Sequence, residues 1–508
     1  MIIGNSRRGN WFEGPAHHAG PRPPLTRPAQ VDLNHEQLDL LTQSCVGDSR
    51  SYWLGGPATG KTLLLVEYAA RQSQPGIIFV RDAAERQRVN RLLAARAPHF
   101  VAHTFGGYVM QSAPQQLRHR VVQSMSPGLA QQYLCTSEAM ASMTVRTLQA
   151  FFMSSDIHIT DRHVCAHDHL FNDSAGAICQ TVDGARAIWK SMRDGDYPVT
   201  REAILKITGC SQVKIPYAHI LVDDAEMLVP VATQLLAVQA HAHIVYAGDP
   251  RQYYDSEACG FLDGACTSGV VHALSNSFEM SGQVVGVANG VSRRAGGHAR
   301  LVSAASTGIN GGQAARAVIA RWDGSLLQRA AGCGGLGIHW VGGCDAITRL
   351  LALYHLYAQR PAECRDPDLA HFSNYSVVKD FAQFTGDIQL LSLISIVDQY
   401  HHDTPGLALQ IFENAVPSAD HPRCVEVYST VSRAKGLRWD RVTIEDDFDL
   451  ELPVDPCETA KLYLAVTRAR EVVEVPLAMR GWLEGGAQEV RVGHVIDPLG
   501  FAPKNVLQ

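Results

Sequence analysis

The chain has 508 residues, 46% of them hydrophobic and 19% charged, with a formal net charge of −6. That length is too great for one compact core and implies about three domains of ordinary globular composition. The acidic balance excludes a basic nucleic-acid-coating body, so any nucleic-acid contact has to come from a local groove. No uninterrupted apolar run is long enough to span a membrane and no signal-peptide core opens the chain, so the expectation is a cytoplasmic protein without a membrane partner. Twelve cysteines are scattered without CxxC pairs, as reduced thiols of an intracellular enzyme would be.

Residues 1–32 are rich in Gly, Pro and Arg, with Arg7, Arg8 and Arg22 among them. Such a segment cannot bury enough apolar surface to order itself and is expected to be a flexible tail. Beyond it, Ser51-Tyr52-Trp53-Leu54 leads into Gly55-Gly56-Pro57-Ala58-Thr59-Gly60-Lys61-Thr62, and the apolar run Leu63-Leu64-Leu65-Val66 follows. This satisfies G-x-x-x-x-G-K-[ST] in the context the motif requires: a strand delivers a glycine-rich loop onto a helix N-terminus, where backbone N–H groups hold phosphate oxygens. Lys61 is expected to reach the β- and γ-phosphates of ATP, and the Thr62 hydroxyl to ligate Mg²⁺.

Ile77-Ile78-Phe79-Val80 reads as a buried strand and residues 83–95 as a helix. His158, His163, Cys165, His167 and His169 form a cluster. Alternating spacing can place ligands on one side of a strand, but no second pair follows at finger-like spacing, which favours a solvated loop over a metal site. Ile220-Leu221-Val222 is a strand that ends in Asp223-Asp224-Ala225-Glu226. Asp223 is placed to hold Mg²⁺ and Asp224 to orient the attacking water. Ile244-Val245-Tyr246-Ala247 runs into Gly248-Asp249-Pro250-Arg251-Gln252, where Gln252 can sense the γ-phosphate. Val442-Thr443-Ile444 and Val472-Val473-Glu474-Val475 are later strands. Between them lies Leu462-Tyr463-Leu464-Ala465-Val466-Thr467-Arg468-Ala469-Arg470. Arg468, offered from a second sheet, would act as an arginine finger on the developing γ-phosphate charge. Strands alternating with helices predict α/β architecture with parallel sheets.

This ordered set resembles the UvrD-like branch of superfamily 1 helicases, over roughly residues 33 to 480. Asn34-His35-Glu36-Gln37 is similar to the family's Q motif, which implies that Gln37 reads adenine. Gly55 to Thr62 corresponds to motif I, Asp223 to Glu226 to motif II, and Gly248 to Gln252 to motif III. Ser277-Phe278 resembles the start of motif IV, with Phe278 stacking on adenine. Thr430-Val431-Ser432-Arg433-Ala434-Lys435-Gly436-Leu437-Arg438 corresponds to motif V, placing Gly436 at the nucleotide, and residues 465–470 to motif VI. Ala187-Ile188-Trp189-Lys190-Ser191-Met192, Ile204-Leu205-Lys206-Ile207, Val341-Gly342-Gly343 and Asp446-Asp447-Phe448 point to the compact group that includes the F-box DNA helicase.

The resemblance implies two RecA-like P-loop NTPase lobes, each carrying a mainly helical insertion. The first lobe would take residues 33–107 and 209–265 with an insertion at 108–208. The second would take 266–344 and 423–485 with an insertion at 345–422, leaving a tail at 486–508. Its implied activity is an ATP-dependent DNA helicase or single-stranded DNA translocase moving 3′ to 5′, an ATP hydrolase using ATP and Mg²⁺ on single-stranded or partly duplex DNA. A separate nuclease or a repair or replication protein would be its partner. The alternative is an ATP-binding, weakly hydrolysing regulatory subunit. A third reading is an RNA helicase. DNA-contact candidates on a track that combines basic and aromatic side chains are Thr104, Phe105, Tyr254, Thr430, Lys435 and Trp439, with Arg81 as a further phosphate contact.

The chain departs from the family pattern at several positions. Asp224 stands where a glutamate is usual, one methylene shorter. Glu279 replaces the arginine that follows the motif IV aromatic, and Arg438 replaces the acid that ends motif V. Val80-Arg81-Asp82 stands at motif Ia, and Gly106 takes the place of the histidine that follows Thr-Phe. The opposite reversals at Glu279 and Arg438 suggest a swapped charge pair.

Overall fold

The computed structural model describes residues 32–43, 50–164, 175–211, 213–253, 261–262, 270–297, 300–305, 316–450 and 455–484. Apart from Asp32, the expected tails lie outside this set. So do Tyr254 and, from the histidine cluster, Cys165, His167 and His169.

The molecule is α/β, built on two parallel sheets. Strands β1 (Arg50–Gly55), β2 (Gly76–Phe79), β3 (Phe100–His103), β4 (His219–Val222), β5 (His243–Gly248) and β6 (Val270–Leu274) form a six-stranded sheet in the order β3-β2-β4-β5-β1-β6. Their apolar runs have the near-continuous character of strands covered on both faces. Ile220, Leu221, Val222, Ile244, Val245 and Ala247 are all wholly buried. Register pairs Trp53 with Ala247, and Val222 with Tyr246. The carboxyl ends of β4, β5 and β1 therefore lie side by side, which is where open α/β sheets place their ligands.

A two-residue ladder joins β7 (Asn276–Ser277) to β8 (Val302–Ser303). The second large sheet comprises β9 (Arg316–Ala320), β10 (Gly337–Trp340), β11 (Cys424–Thr430), β12 (Trp439–Ile444) and β13 (Ala469–Glu474), in the order β10-β11-β9-β12-β13. The helix Gly282–Arg294 packs on this second unit, against the helix Pro456–Val466 and β13. Strand β6, Val270–Leu274, does not: it pairs with β1 and belongs to the first sheet.

Helices fill the two long intervals. Between β3 and β4 run Phe105–Ser112, Gln115–Arg118, Pro127–Leu134, Glu138–Met153, Ala175–Asp194 and Arg201–Gly209, with Leu148, Phe151, Phe152, Ile188 and Met192 buried among them. Between β10 and β11 run Asp345–Tyr357, Tyr375–Thr385, Ile388–Tyr400 and Thr404–Glu413, around Leu350, Leu353, Leu393, Val397 and Ile411. No helix among the described residues is long and apolar enough to cross a membrane.

Local capping accounts for Thr104, expected at DNA, and for Asp82 of motif Ia. The Thr104 hydroxyl accepts from Gly107 N at 3.0 Å and starts the helix Phe105–Ser112. The Asp82 carboxylate accepts from Glu85 N and starts the helix Ala83–Arg96. Both are N-caps of the ordinary kind. Phe105 corrects the expectation of a base-stacking ring: it is fully buried and stacks on Phe79 with centroids 4.0 Å apart. Phe105→Ala is expected to lower stability by about 3–5 kcal/mol through the cavity it leaves. Urea unfolding midpoints measure this, and a variant as stable as the parent would show that the ring does not pack in the core.

Candidate functional site: a cleft between the two sheets

Strand β1 ends at Gly55 and the helix Lys61–Arg71 begins six residues later. The loop between them is tightly wound, with Ala58 and Gly60 at positive φ (+59° and +85°). Gly60 precedes the helix, where a side chain would also meet the Gln37 amide. Lys61 Nζ donates to the carbonyls of Gly55 at 2.6 Å and Gly56 at 2.9 Å. The Thr59 hydroxyl closes the loop on Gly56 O at 2.9 Å.

Thr62 Oγ1 donates to Asp223 Oδ2 at 2.5 Å, joining the first turn of that helix to the end of β4. Burial, then the neighbouring Asp224 and Glu85 charges, push the Asp223 carboxyl up to about 7. An oxygen donor set with a carboxylate short of positive charge suits a hard divalent ion such as Mg²⁺, so Thr62 and Asp223 fit that role. Asp224 behaves oppositely. Burial raises its pKa, but Lys435, Arg81, Lys61 and Arg468 outweigh that and hold it below the ordinary carboxylate value. Its φ of +52° turns it away from Asp223 and toward Arg81, whose Nη1 lies 3.2 Å from Asp224 Oδ2.

The second sheet closes over these groups. Lys435 Nζ lies 2.8 Å from Glu226 Oε1, with both side chains almost wholly buried. This corrects the expectation that Lys435 meets a DNA phosphate, because a paired, buried ammonium has no face left for solvent. Glu226 Oε2 also accepts from Asp249 N at 3.0 Å, which links the ends of β4 and β5. Arg468, in the turn before β13, is buried and donates through Nε to Leu464 O and through Nη2 to Thr467 Oγ1. The same Nη2 lies 3.5 Å from Gln252 Oε1, and Gln252 Nε2 donates to Asp249 Oδ2 at 3.1 Å. The charges of Lys61 and Arg468, from the two sheets, both help to hold the Asp224 pKa down. Gly436 has φ +83°, and a Cβ there would collide with the Arg81 guanidinium.

On the loop's other flank, Gln37 is buried and donates to Thr59 O at 3.1 Å, while exchanging hydrogen bonds with Asn34. Glu36 accepts from Ser275 and Asn276, and the Ser277 hydroxyl donates to Pro57 O. Phe278 N donates to Ala58 O at 2.9 Å, and the residue is 39% exposed beside the loop. The swapped pair expected from sequence is present as a loose ion pair, with Arg438 Nε 3.7 Å from Glu279 Oε2. Of the other expected DNA contacts, Thr430 ends β11 and Trp439 begins β12. Thr430 is buried, with its hydroxyl 3.3 Å from that of Ser432. Trp439 is half-buried at the start of β12, and its N donates to Arg468 O.

Three cleft residues have partners that the sequence reading did not give them: Glu226, Arg251 and Arg81, the last expected at a DNA phosphate. Glu226 pairs with Lys435 and Arg81 with Asp224, each across a long sequence separation, and Arg251 pairs with Asp249 at 2.9 Å while stacking over Tyr463 of the second unit at 5.0 Å. Their charge next to the acidic strand end was visible, but nothing in local spacing shows which partner each one meets. Elsewhere, His163 is buried, with Thr160 and Ser154 as hydrogen-bond partners and Asp156 as its ionic partner. Among the described residues no group of three or more His, Cys, Asp or Glu is arranged to hold a metal ion.

No protein-family model matches the chain. It is similar to the F-box DNA helicase 1 of Gallus gallus, 24% identical over 87% of this chain and 49% of that protein. It is also similar to the F-box DNA helicase protein 1 of Schizosaccharomyces pombe, 22% identical over 77% of this chain and 50% of the relative. The chain thus spans about half the length of the curated relatives it matches. The similarity supports a relationship to DNA helicases, and the parallel sheets are compatible with one.

The Lys435–Glu226 pair yields a stability prediction. Lys435→Met should cost about 3–5 kcal/mol by leaving a buried carboxylate unpaired, and adding Glu226→Gln should recover much of that loss. Chemical denaturation of the three proteins checks it. A double variant no more stable than Lys435→Met would show that the two charges are not coupled.

Proposed function

We propose that the chain is an ATP-dependent DNA helicase or single-stranded DNA translocase, moving 3′ to 5′, with two RecA-like lobes closing on one Mg-ATP. The observation that carries this reading is that Thr62 donates to Asp223 on the first sheet while the charges of Lys61 from that sheet and Arg468 from the other both act on the adjacent Asp224. In it, the loop of residues 55–62 cradles the phosphates and Lys61 leaves its two backbone carbonyls for phosphoryl oxygens. Thr62 and Asp223 hold Mg²⁺, which neutralises phosphate charge when bound. Asp224 orients the attacking water, Gln252 couples the γ-phosphate to the second lobe, and Arg468 stabilises the charge that develops there. Gln37 and Phe278 flank the loop where a purine would sit. Cleft closure then moves single-stranded DNA across both lobes, and the relatives' names, F-box DNA helicases, support DNA as the substrate.

A second reading, an ATP-binding subunit with weak turnover, is favoured by the Arg81–Asp224 contact at 3.2 Å. A carboxylate held by a guanidinium is a poorer proton acceptor, and a one-methylene retreat matters at catalytic distances. Phosphate release measured with and without single-stranded DNA separates the two. The motor reading expects DNA-stimulated hydrolysis that falls at least about 100-fold in Lys61→Ala and in Arg468→Ala, since transition-state contacts of this kind are worth that much. Undiminished DNA-stimulated hydrolysis by Lys61→Ala would sink the assignment. Low turnover in the parent alongside tight ATP binding would favour the subunit reading, and a preference for RNA over DNA as the stimulating strand would change the substrate class.

A further inference from the structure

Arg438 is a buried cation with open donors. Its side chain is 12% exposed, and among the described residues neither Nε nor Nη2 meets a hydrogen-bond acceptor. A guanidinium carries five donors and no acceptor, so such burial is unfavourable until an anion completes it. Glu279 stands 3.7 Å from Nε, outside hydrogen-bonding distance, with 53% of its side chain in solvent and Arg470 competing for it at 3.9 Å.

The location of Arg438 says which anion would fit. Glu279 follows Phe278, whose N donates to Ala58 O of the phosphate loop, so the pair stands at the rim of that loop. On its other side, Trp439 N donates to Arg468 O, which ties the backbone after Arg438 to the finger residue. Burial first, then repulsion from Arg438 and from Arg81, push Arg468 down to about 9. Three guanidinium groups therefore crowd one end of the cleft, and Arg81 already takes Asp82 and Asp224. Arg438 and Arg468 are left with Glu279 as the one carboxylate in ion-pair range of either among the described residues. The planar fork of arginine matches phosphoryl oxygens in pairs, which a lysine at the same place would not.

We propose that Arg438 is a second ligand for the terminal phosphate of a nucleoside triphosphate in this cleft, and that Glu279 is an internal anion holding its place until the phosphate arrives. The proposal rests on the nucleotide reading above and adds to it a charge delivered from the second sheet beside Arg468. Its half-exposed position lets the Glu279 carboxylate turn to solvent as the phosphate takes over the guanidinium.

Equilibrium binding of ADP and of ATPγS in Mg²⁺ to the full chain tests it, because a terminal-phosphate contact discriminates between the two. Arg438→Gln is expected to weaken ATPγS about 10-fold or more while leaving ADP within about 2-fold, the effect of losing a charge-assisted hydrogen bond. Glu279→Gln, at an exposed position where folding is not at stake, is expected to tighten ATPγS about 3-fold with ADP unchanged. Equal weakening of both nucleotides by Arg438→Gln, no change in either, or weaker ATPγS binding by Glu279→Gln overturns the proposal. A parent protein that binds neither nucleotide, or binds both as well after Lys61→Ala, removes the nucleotide reading itself, a result distinct from a parent that binds ATPγS indifferently to Arg438.

Discussion

An ammonium and a carboxylate 2.8 Å apart, both nearly inaccessible, join the two sheets at Lys435 and Glu226. Burying such a pair adds little net stability, because desolvation offsets most of the attraction. What it does is make other arrangements of the sheets costly, since any shift strands a charge in the interior. Glu226 extends the constraint by accepting from Asp249 N, so one side chain ties the ends of β4 and β5 to the segment after β11. Around this tie the other cross-contacts fall into place: Arg81 beneath Gly436, Arg251 over Tyr463, and Arg468 against Gln252. On the first sheet these four contacts come from residues just past the carboxyl ends of β2, β4 and β5, and on the second from the segment after β11 and from the helix and turn that lead into β13.

Much of the first sheet could be read directly from the chain. Runs such as residues 77–80, 220–222 and 244–247 are continuous and apolar, the mark of strands covered on both faces, and they end in the acids or glycines that carry the site. The phosphate loop was legible for the same reason, since its residues, its strand and its helix are contiguous. Strands β3 and β10 alternate between buried and half-buried positions and are only four residues long, so they lack that signal. β6 begins on an exposed valine and was read with the wrong sheet, because pairing with β1 is a property of register and not of composition.

Side-chain partners were the least legible part. Phe105 and Lys435 have the residue types of a DNA track, yet one stacks in the core and the other meets a carboxylate 209 positions away. No local pattern distinguishes a buried lysine with a distant acid from a lysine in solvent. Glu279 and Arg438 were the exception, because two opposite reversals of charge in one ordered set of motifs imply each other. The pair exists, but as an open contact and not a closed one, and that looseness carries chemical meaning of its own.

The two adjacent aspartates show how one strand end can serve two roles. Asp223 and Asp224 are adjacent in the chain, yet one carboxyl is raised and the other lowered. The difference comes from direction. Asp223 continues the strand and accepts from two neutral donors, the Thr62 hydroxyl and Asp224 N. Asp224 adopts a left-handed backbone at φ +52°, which swings its carboxylate under Arg81 and toward the cations of the second sheet. Among non-glycine residues, aspartate and asparagine are the ones that tolerate that conformation best. Such backbone strain persists where surrounding structure holds it, as the Arg81 contact and the Lys435–Glu226 tie do here. A glutamate would bring its carboxylate further into the cleft, but at a greater backbone penalty. The shorter acid at Asp224 is therefore consistent with the turn that separates the two carboxylates, one left to gain from a metal ion and the other kept ionised among the cations of the second sheet.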